Sequence, residues 1–206
     1  MLFEFTEEQL MIKQAAKDFA INECLPGVIE RDEHQKFPKE QIEKLADLGF
    51  MGMMLKPEYG GSGMDTISYV LAMEEISKVD ASVSVCVSVN NSLVCYGLQE
   101  YATEEQKQQY LKPLAQGKKD GELYIGAFLL SEPEAGSDAT SQRTTAEDKG
   151  DHYLLNGTKN WITNGNSASV YLVIAQTDAS KGSRGINAFI VEKSWAGVEV
   201  GAKENK

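Results

Sequence analysis

The chain has 206 residues, 42% of them apolar, which is enough to bury the core of one large domain or two small ones. Its formal net charge of −11 would repel a phosphate backbone, so we expect no nucleic acid partner. No apolar run approaches the roughly 20 residues that a membrane span needs, and the first residues lack the basic start and apolar core of a signal peptide. We therefore expect a cytoplasmic globular protein without a membrane partner.

Cysteine and histidine are too sparse for the usual metal sites. The three cysteines, Cys24, Cys86 and Cys95, lack metal-binding spacing, and the histidines are limited to His34 and His152. We expect reduced, partly buried thiols and no metal site.

The first half of the chain is patterned as helices. Thr6 to Gln9 is a capping-box sequence, and apolar residues then recur at helical spacing up to Ile21. Thr103 to Gln106 repeats the capping box ahead of a helix that Gly117 should end. The apolar face of the first helix consists of Leu10, Ala15, Ala16 and Phe19. We also expect a helix from Pro38 to Leu48 that Gly49 ends, a loop at Gly60, Gly61 and Gly63, and a helix from Ile67 to Lys78.

The stretch from Ala81 to Leu98 gives conflicting signals. Its valines, which are Val83, Val85, Val87 and Val89, alternate with small or polar residues. Because β-branched side chains in that pattern favour a half-buried strand, the pattern alone predicts a strand.

The second half changes to short apolar runs bounded by turn residues, which predicts strands. Asn156-Gly157 predicts a tight hairpin with residues 158–162 as its second strand, because both residues tolerate positive φ. Helices followed by antiparallel strands predict an α+β fold, with a helical domain over residues 1–120 and the first part of a β-domain over residues 121–206. The predicted strands are Leu123 to Leu130, Tyr153 to Leu155, Val170 to Ala175 and Ile186 to Val191.

One stretch with the composition of a ligand site runs from Phe128 to Asp138. Gly136 has no side chain to obstruct a ligand, while Ser131 and Ser137 offer hydroxyl donors to an anionic or carbonyl-rich cofactor. An ordinary surface loop has the same composition, since serine, proline and glycine dominate turns. The residues by themselves leave both interpretations open.

A second stretch, Leu155 to Gly165, places a tryptophan and a threonine at a predicted strand end. Trp161 could pack on a planar cofactor ring, and the Thr163 hydroxyl could hydrogen-bond a ring nitrogen. The alternative is that Trp161 is a core or interface aromatic and Thr163 an ordinary strand residue.

Together and in this order, the two stretches resemble the flavin-binding segments of the acyl-CoA dehydrogenase family. The resemblance rests on Ser131-Glu132-Pro133 with Gly136-Ser137-Asp138, followed by Trp161-Ile162-Thr163. It extends over essentially the whole chain, including residues 72–77, 103–107, 156–159 and 203–206. The chain is most similar to the short-chain (butyryl-CoA) branch, especially at residues 90–93 and 130–133.

The resemblance implies a helical first domain, and hence a helix where the valines alternate. It also implies an FAD site in which Trp161 walls the flavin ring, Thr163 lies near flavin N5, and Ser137 contacts the acyl-CoA as well. The implied FAD-binding residues are Phe128, Leu129, Leu130, Ser131, Glu132, Pro133, Glu134, Ala135, Gly136, Ser137, Trp161, Ile162 and Thr163.

The implied reaction is the α,β-dehydrogenation of a short-chain acyl-CoA to a trans-2-enoyl-CoA. A carboxylate removes the α proton, the β carbon delivers hydride to flavin N5, and the electrons pass to an electron-transfer flavoprotein. In the family the base is a glutamate of a carboxy-terminal helical domain, which also builds a homotetramer, and we expect this chain to be a truncated fragment that lacks that domain and is inactive by itself. No residue of this chain is therefore assigned as catalytic, including Glu132 and Glu134.

Two departures from the family pattern stand out. Glu134 occupies a position where many relatives have glycine, so its charge should point away from any phosphate. The link from Gly117 to Tyr124 is a few residues longer than usual, which a surface loop tolerates.

Two other functions remain open. A flavin oxidase of the same fold would let oxygen take the electrons and would release peroxide. A non-catalytic flavin or acyl-CoA binding module would explain the missing base, although a sheet cut within its β-domain would leave buried polar edges.

Overall fold

The computed structural model describes residues 4–203, so the terminal stretch 203–206 used for the resemblance lies largely outside the described residues. The chain divides into two compact units between Ile125 and Gly126, called here the helical unit and the β unit. Helices α1 to α8 of the described residues all belong to the helical unit: Glu7–Phe19, Val28–Glu33, Lys39–Asp47, Thr66–Ser77, Ala81–Ser88, Tyr96–Tyr101, Glu104–Gln106 and Lys112–Gln116. Three π-helical segments extend or join them: Ala20–Cys24, Val89–Cys95 and Lys107–Leu111.

Both predicted capping boxes are present. At the start of α1, Thr6 Oγ1 accepts a hydrogen bond from the Gln9 amide at 3.2 Å, and Gln9 Oε1 accepts one from the Thr6 amide at 3.0 Å. Thr103 and Gln106 repeat this exchange ahead of α7, at 3.3 and 3.0 Å. Each box satisfies two amides that a helix start would otherwise leave open, and the predicted helix starts are confirmed.

The apolar face predicted for α1 is right in its second half. Ala16 and Phe19 are buried, whereas Leu10 and Ala15 are exposed. The buried line continues into the π-helical segment through Ala20 and Cys24, because the wider turn keeps these side chains on the core side.

The next two predicted helices also form. Helix α3 begins after Pro38 and ends near Gly49, which has a φ of 78° and so adopts the left-handed conformation that glycine allows. Helix α4 covers nearly the range predicted from Ile67, and Asp65 caps it by accepting from the Ser68 amide at 2.7 Å.

The alternating valines form helix α5, so the strand that their pattern predicts is wrong and the helix implied by the resemblance is confirmed. Val83 and Val87, four residues apart, are fully buried, while Val85 is 48% exposed. Asp80 starts the helix by accepting from the Val83 amide at 3.0 Å. Burial of one helical face therefore outweighs the modest strand preference of β-branched residues.

The helical run Ala81–Tyr101, which passes through α5 and α6, is the one stretch of the described residues long and apolar enough to cross a membrane. Half of its most apolar window is buried inside the protein, as in the core helix of a globular unit.

Two adjacent buried asparagines in this run fasten the irregular segment that follows α3. Asn91 Oδ1 accepts from the Met53 amide at 2.8 Å, and its Nδ2 donates to the Phe50 carbonyl at 2.8 Å. Asn90 Nδ2 donates to the Met51 carbonyl at 2.9 Å. Because these backbone groups lie outside regular ladders, the amide side chains supply the partners that buried polar groups require.

The helical unit ends in a tight hairpin of strands β1 (Lys118–Lys119) and β2 (Glu122–Leu123). Its two turn residues, Asp120 and Gly121, both have positive φ, 53° and 83°, as a type I′ turn demands. The link that looks long in the sequence is thus an ordered hairpin.

The β unit contains one five-stranded sheet, which with the helical unit confirms the α+β class. Strand β6 lies at its centre, parallel to β3 and antiparallel to β7, and touches β4 in parallel at one end. Strands β4 and β5 pair antiparallel. The strands β3 to β7 are Gly126–Leu129, Thr145–Asp148, Tyr153–Asn156, Val170–Gln176 and Ile186–Glu192.

The sheet is mixed, which corrects the prediction that it is antiparallel throughout. The segment between β3 and β6 is long enough to bring the chain back to the same end of the sheet, so these strands run parallel. The predicted run from Leu123 to Leu130 is divided, because its first residue belongs to β2 and β3 begins only at Gly126.

The hairpin predicted at Asn156-Gly157 is wrong. Strand β5 ends at Asn156 and pairs with β4, and residues 157–160 form no strand. A Cβ added to Gly157 would lie 2.3 Å from Thr144 Oγ1, so glycine is needed here for close packing. The hairpin turn lies instead before β5, around Gly150, which has a φ of 96°.

Candidate functional site

The loop that follows β3 folds back on itself in a four-residue turn. The Glu132 amide donates to the Ala135 carbonyl at 3.0 Å, and the Ala135 amide donates to the Glu132 carbonyl at 3.2 Å. The residues of the turn and its continuation divide by exposure: Glu132 and Ala135 are buried, and Pro133, Glu134, Gly136 and Ser137 are exposed. The loop therefore presents backbone and one serine hydroxyl on its outer side while its ends are fixed.

Nothing within the described protein requires glycine at position 136. Its φ lies outside the left-handed region, and an added Cβ would meet no atom within 4 Å. This differs from Gly157, where the chain itself fills the space. The open side of Gly136 is room that an external group could use.

Trp161 is held in an unusual conformation and exposes its ring. Its φ is 60°, in the left-handed region that bulky residues rarely adopt, and 62% of the residue is exposed. Strain of this kind costs about 1–3 kcal/mol and persists only where neighbouring contacts enforce it. Ile162 and Thr163, which follow it, are half-buried.

Contacts on both sides fix the position of Trp161. Before it, the Asn160 amide donates to the Ser131 carbonyl at 2.8 Å. After it, Asn164 is buried and its Nδ2 donates to the Gly126 carbonyl at 3.1 Å. The segment is thus fastened to the two ends of strand β3, and the two stretches singled out in the sequence lie side by side.

A buried ion pair also connects these stretches. Lys159 Nζ lies 2.7 Å from Glu132 Oε1, and the two side chains are 6% and 3% exposed. Glu132 accepts in addition from the backbone amides of Arg143 and Thr144, at 2.5 and 3.0 Å. Sequence reasoning gave Lys159 no role, because a single lysine in a polar loop carries no signal of burial.

The contacts of Glu132 determine its protonation. Burial raises the pKa of this carboxyl, but hydrogen bonds from Lys159, Thr144 and the Arg143 amide outweigh it and lower the pKa to about 2. A carboxylate with such a pKa, already holding three donors, is a poor proton acceptor near neutral pH. Because the side chain points inward, Glu132 can meet a ligand in this loop only through its backbone.

The other candidate acid, Glu134, is exposed and lies 3.6 Å from Arg143 Nη1. Its charge therefore has a local partner at the surface. Phe128, Leu129 and Leu130, at the end of β3, are half-buried.

Among the described residues, the cysteines and the groups able to bind a metal give no second site. The three cysteines are buried, and burial raises the pKa of Cys24 and Cys86 to about 12 and that of Cys95 further, so the thiols stay neutral. Among residues 4–203, no group of three His, Cys, Asp or Glu side chains is placed to hold a metal ion.

Comparison with protein families gives two consecutive matches. "Acyl-CoA dehydrogenase, N-terminal domain" matches residues 6–118, and "Acyl-CoA dehydrogenase, middle domain" matches residues 127–206.

Similar curated proteins carry related names. "Acyl-CoA dehydrogenase, short-chain specific" of Clostridium acetobutylicum is 45% identical over 206 residues, which is 100% of this chain and 53% of that protein. "3-(aryl)acrylate reductase" of Clostridium sporogenes is 43% identical over 98% of this chain and 52% of its own length. The chain thus spans about half the length of the curated relatives it matches.

Solved structures agree with these matches. The butyryl-CoA dehydrogenase of Megasphaera elsdenii has a TM-score of 0.89 and 43% identity, covering 96% of this chain and 51% of that one. A second solved structure is described as "Electron transferring flavoprotein of Acidaminococcus fermentans: Towards a mechanism of flavin-based electron bifurcation". Its matching chain has a TM-score of 0.90 and 48% identity, covering 96% of this chain and 50% of that one. The chain belongs to the acyl-CoA dehydrogenase family.

Proposed function

We propose that this chain is part of an FAD-dependent enzyme that dehydrogenates a short-chain acyl-CoA to a trans-2-enoyl-CoA. The observation that carries the proposal is the joining of the 131–138 loop to the 159–163 segment beside an exposed, strained tryptophan. These are the two stretches that resemble the family's flavin-binding segments, and they lie side by side in the fold.

The residues present fit a flavin. The outer side of the loop has room at Gly136 for close backbone approach, and the Ser137 hydroxyl is exposed beside it. The exposed ring of Trp161 offers an aromatic surface of the kind on which a planar ring packs, and Thr163 supplies a hydroxyl two residues later. We assign FAD binding to these groups and an acyl-CoA contact to Ser137. When bound, the flavin takes up the hydride from the substrate.

The proton acceptor of this reaction is not assigned to Glu132 or Glu134. Glu132 is committed to Lys159 and two amides, with a pKa of about 2, and Glu134 lies at the surface against Arg143. We propose that the base is supplied by a part of the enzyme other than this loop, in line with the family's use of a glutamate in a further helical domain.

The names of the relatives support the substrate class. The Clostridium acetobutylicum relative is named as short-chain specific, and the Megasphaera elsdenii relative as a butyryl-CoA dehydrogenase. We extend the proposal to an electron-transfer flavoprotein as acceptor, to a homotetramer for the whole enzyme, and to a cytoplasmic location. The buried, neutral thiols are compatible with a reducing compartment.

The chain's two tryptophans allow a matched test of the flavin site. Trp161 and Trp195 are both exposed and both lie in the β unit, but Trp195 follows β7 and is outside the proposed site. The dissociation constant for FAD would be measured by equilibrium dialysis in Trp195→Phe and in Trp161→Phe, and indole quenching would be followed in Trp195→Phe, where Trp161 is the sole tryptophan.

We expect saturable quenching of indole fluorescence in Trp195→Phe at unchanged FAD affinity. In Trp161→Phe we expect at least a tenfold weaker affinity, because about 1.4 kcal/mol of ring packing is lost. Equal affinities in the two variants, or the loss of affinity in Trp195→Phe instead, would contradict the assignment of Trp161.

A further inference from the structure

We propose that Lys159 is a positioning residue for the flavin: through Glu132 it locks the loop and the tryptophan segment at the spacing that the cofactor requires. The inference rests on the proposed function, since it concerns the same site. It adds a residue that is not among the implied FAD-binding residues but contacts two of them, Leu130 and Glu132.

The ammonium group of Lys159 uses all of its donors within the protein. It donates to the Leu130 carbonyl at 3.1 Å, to Glu132 Oε1 at 2.7 Å and to Gln142 Oε1 at 3.0 Å. A lysine has three N–H donors, so the group is fully satisfied. Because its side chain is 6% exposed, it is not available to a ligand as a surface cation.

Glu132 extends the connection to a third part of the chain. Its carboxylate accepts from the amides of Arg143 and Thr144, just ahead of strand β4. The pair therefore joins the end of β3, the start of β4 and the segment before Trp161. None of these contacts belongs to a strand ladder.

Besides this pair, a backbone hydrogen bond also joins the loop to the tryptophan segment. Their backbones share the hydrogen bond from the Asn160 amide to the Ser131 carbonyl, at 2.8 Å. The turn between Glu132 and Ala135 lies within the loop itself and does not determine the position of Trp161.

Stability alone does not account for a buried ion pair here. Taking both charges out of water is costly, and well-packed apolar residues of similar size often serve stability equally well or better. What the charged pair provides in addition is a set of directed contacts, since the three donors of the ammonium group are taken up by acceptors at Leu130, Glu132 and Gln142. These contacts connect the two proposed flavin-binding segments.

The test compares Lys159→Met with the double variant Lys159→Met/Glu132→Gln. The single variant leaves a buried carboxylate without its cation, so it is expected to unfold readily. In the double variant the orphaned charge is gone, which restores much of the stability without restoring the connection. The matched control is Lys149→Met, which removes a lysine from an exposed pair with Glu147 in the same unit.

For each folded variant we would measure the urea midpoint, the dissociation constant for FAD by equilibrium dialysis, and amide hydrogen exchange at Asn160 without FAD. We expect the double variant to regain most of the wild-type urea midpoint. We also expect it to bind FAD at least tenfold more weakly and to exchange the Asn160 amide at least tenfold faster. Lys149→Met should match the wild type in all three.

An FAD affinity within twofold of the wild type in the double variant, with unchanged Asn160 exchange, would overturn the positioning role. An affinity that merely tracks the urea midpoint across the variants would overturn it as well. Failure of the proposed function is separate from this, since it would show as absence of FAD binding in the unaltered chain, and the positioning role would then fall with it.

Discussion

Buried polar side chains fasten the segment that follows α3 in the helical unit and the loop that follows β3 in the β unit, but the first is held by neutral amides and the second by opposite charges. In the helical unit, Asn91 binds the backbone of Phe50 and Met53. In the β unit, Lys159 and Glu132 bind each other and the backbone of two segments, at Leu130 and at Arg143 and Thr144. An amide side chain can satisfy both donors and acceptors without any charge, whereas each member of the ion pair depends on the other.

This difference has two consequences. Removing one member of the ion pair leaves an uncompensated buried charge, whereas removing an asparagine leaves only neutral polar groups unsatisfied. The ion pair also titrates, and the amides do not. Indole fluorescence reports on the β unit, where both tryptophans lie, and far-ultraviolet circular dichroism reports on the helices. The stability of each unit and its dependence on pH can therefore be compared.

Lys159→Met should have the largest effect. It leaves the Glu132 carboxylate buried without its cation, which we expect to lower the free energy of unfolding of the β unit by about 3–5 kcal/mol. Urea unfolding followed by indole fluorescence measures this. Lys149→Met, which breaks an exposed pair, should change it by less than about 1 kcal/mol. Equal losses in the two variants would contradict the energetic importance of burial.

Acid should weaken the β unit through the same pair. Glu132 has a folded pKa of about 2 against an ordinary value of 4.5, so between these values the unfolded chain binds more protons than the folded one. Its contribution is fully present above pH 4.5 and is lost as the pH falls towards 2, by on the order of 3 kcal/mol. Urea midpoints by indole fluorescence across this range should fall more steeply for the wild type than for Glu132→Gln. Parallel slopes would show that Glu132 does not titrate as described.

Asn91→Ala should destabilise the helical unit by about 2–3 kcal/mol, because it leaves the Met53 amide and the Phe50 carbonyl buried without this partner. Urea unfolding followed by circular dichroism at 222 nm measures it. Since the amide does not titrate, the loss should be the same at pH 4 and pH 7. A loss that changes by more than about 1 kcal/mol between these pH values would contradict the neutral character of the anchor.

Substitutions at two glycines should give the smallest effects, one on stability and the other on FAD affinity. Gly121→Ala should cost about 1–2 kcal/mol of stability, because its φ is 83° in the hairpin turn, and it should leave FAD affinity unchanged. Gly136→Ala should change stability by less than about 0.5 kcal/mol, since its Cβ meets nothing and its φ is not positive, but it should weaken FAD binding. Unfolding and FAD titration of both variants check this, and a stability loss at Gly136 with normal FAD affinity would contradict the role given to that residue.

The sequence predicted elements where the determining contacts are local. Capping at Thr6 and Thr103 is a three-residue exchange, and both boxes form. The hairpin prediction failed at Asn156-Gly157 because a long-range contact, the packing of Gly157 against Thr144, determines that site. Asp120-Gly121 carries the same kind of turn signal and does form the hairpin.

The two segments of the candidate site could be predicted from the sequence, but the buried ion pair that connects them could not. The loop at Ser131 and the Trp161 segment could be singled out by composition and by the family resemblance. The burial of Lys159 depends on residues 17 and 27 positions away, Gln142 and Glu132, and no local pattern reveals it. The positive φ of Trp161 likewise follows from its anchored neighbours rather than from its own preference.

The most direct test of the central claim is the visible absorbance spectrum of the purified chain after incubation with FAD and removal of free FAD, followed by anaerobic addition of butyryl-CoA. We expect a retained flavin spectrum that butyryl-CoA does not bleach, because the loop and Trp161 bind the cofactor while Glu132 is held by Lys159. Absence of retained flavin would contradict the proposed site. Bleaching would contradict the exclusion of Glu132 and Glu134 as the proton acceptor.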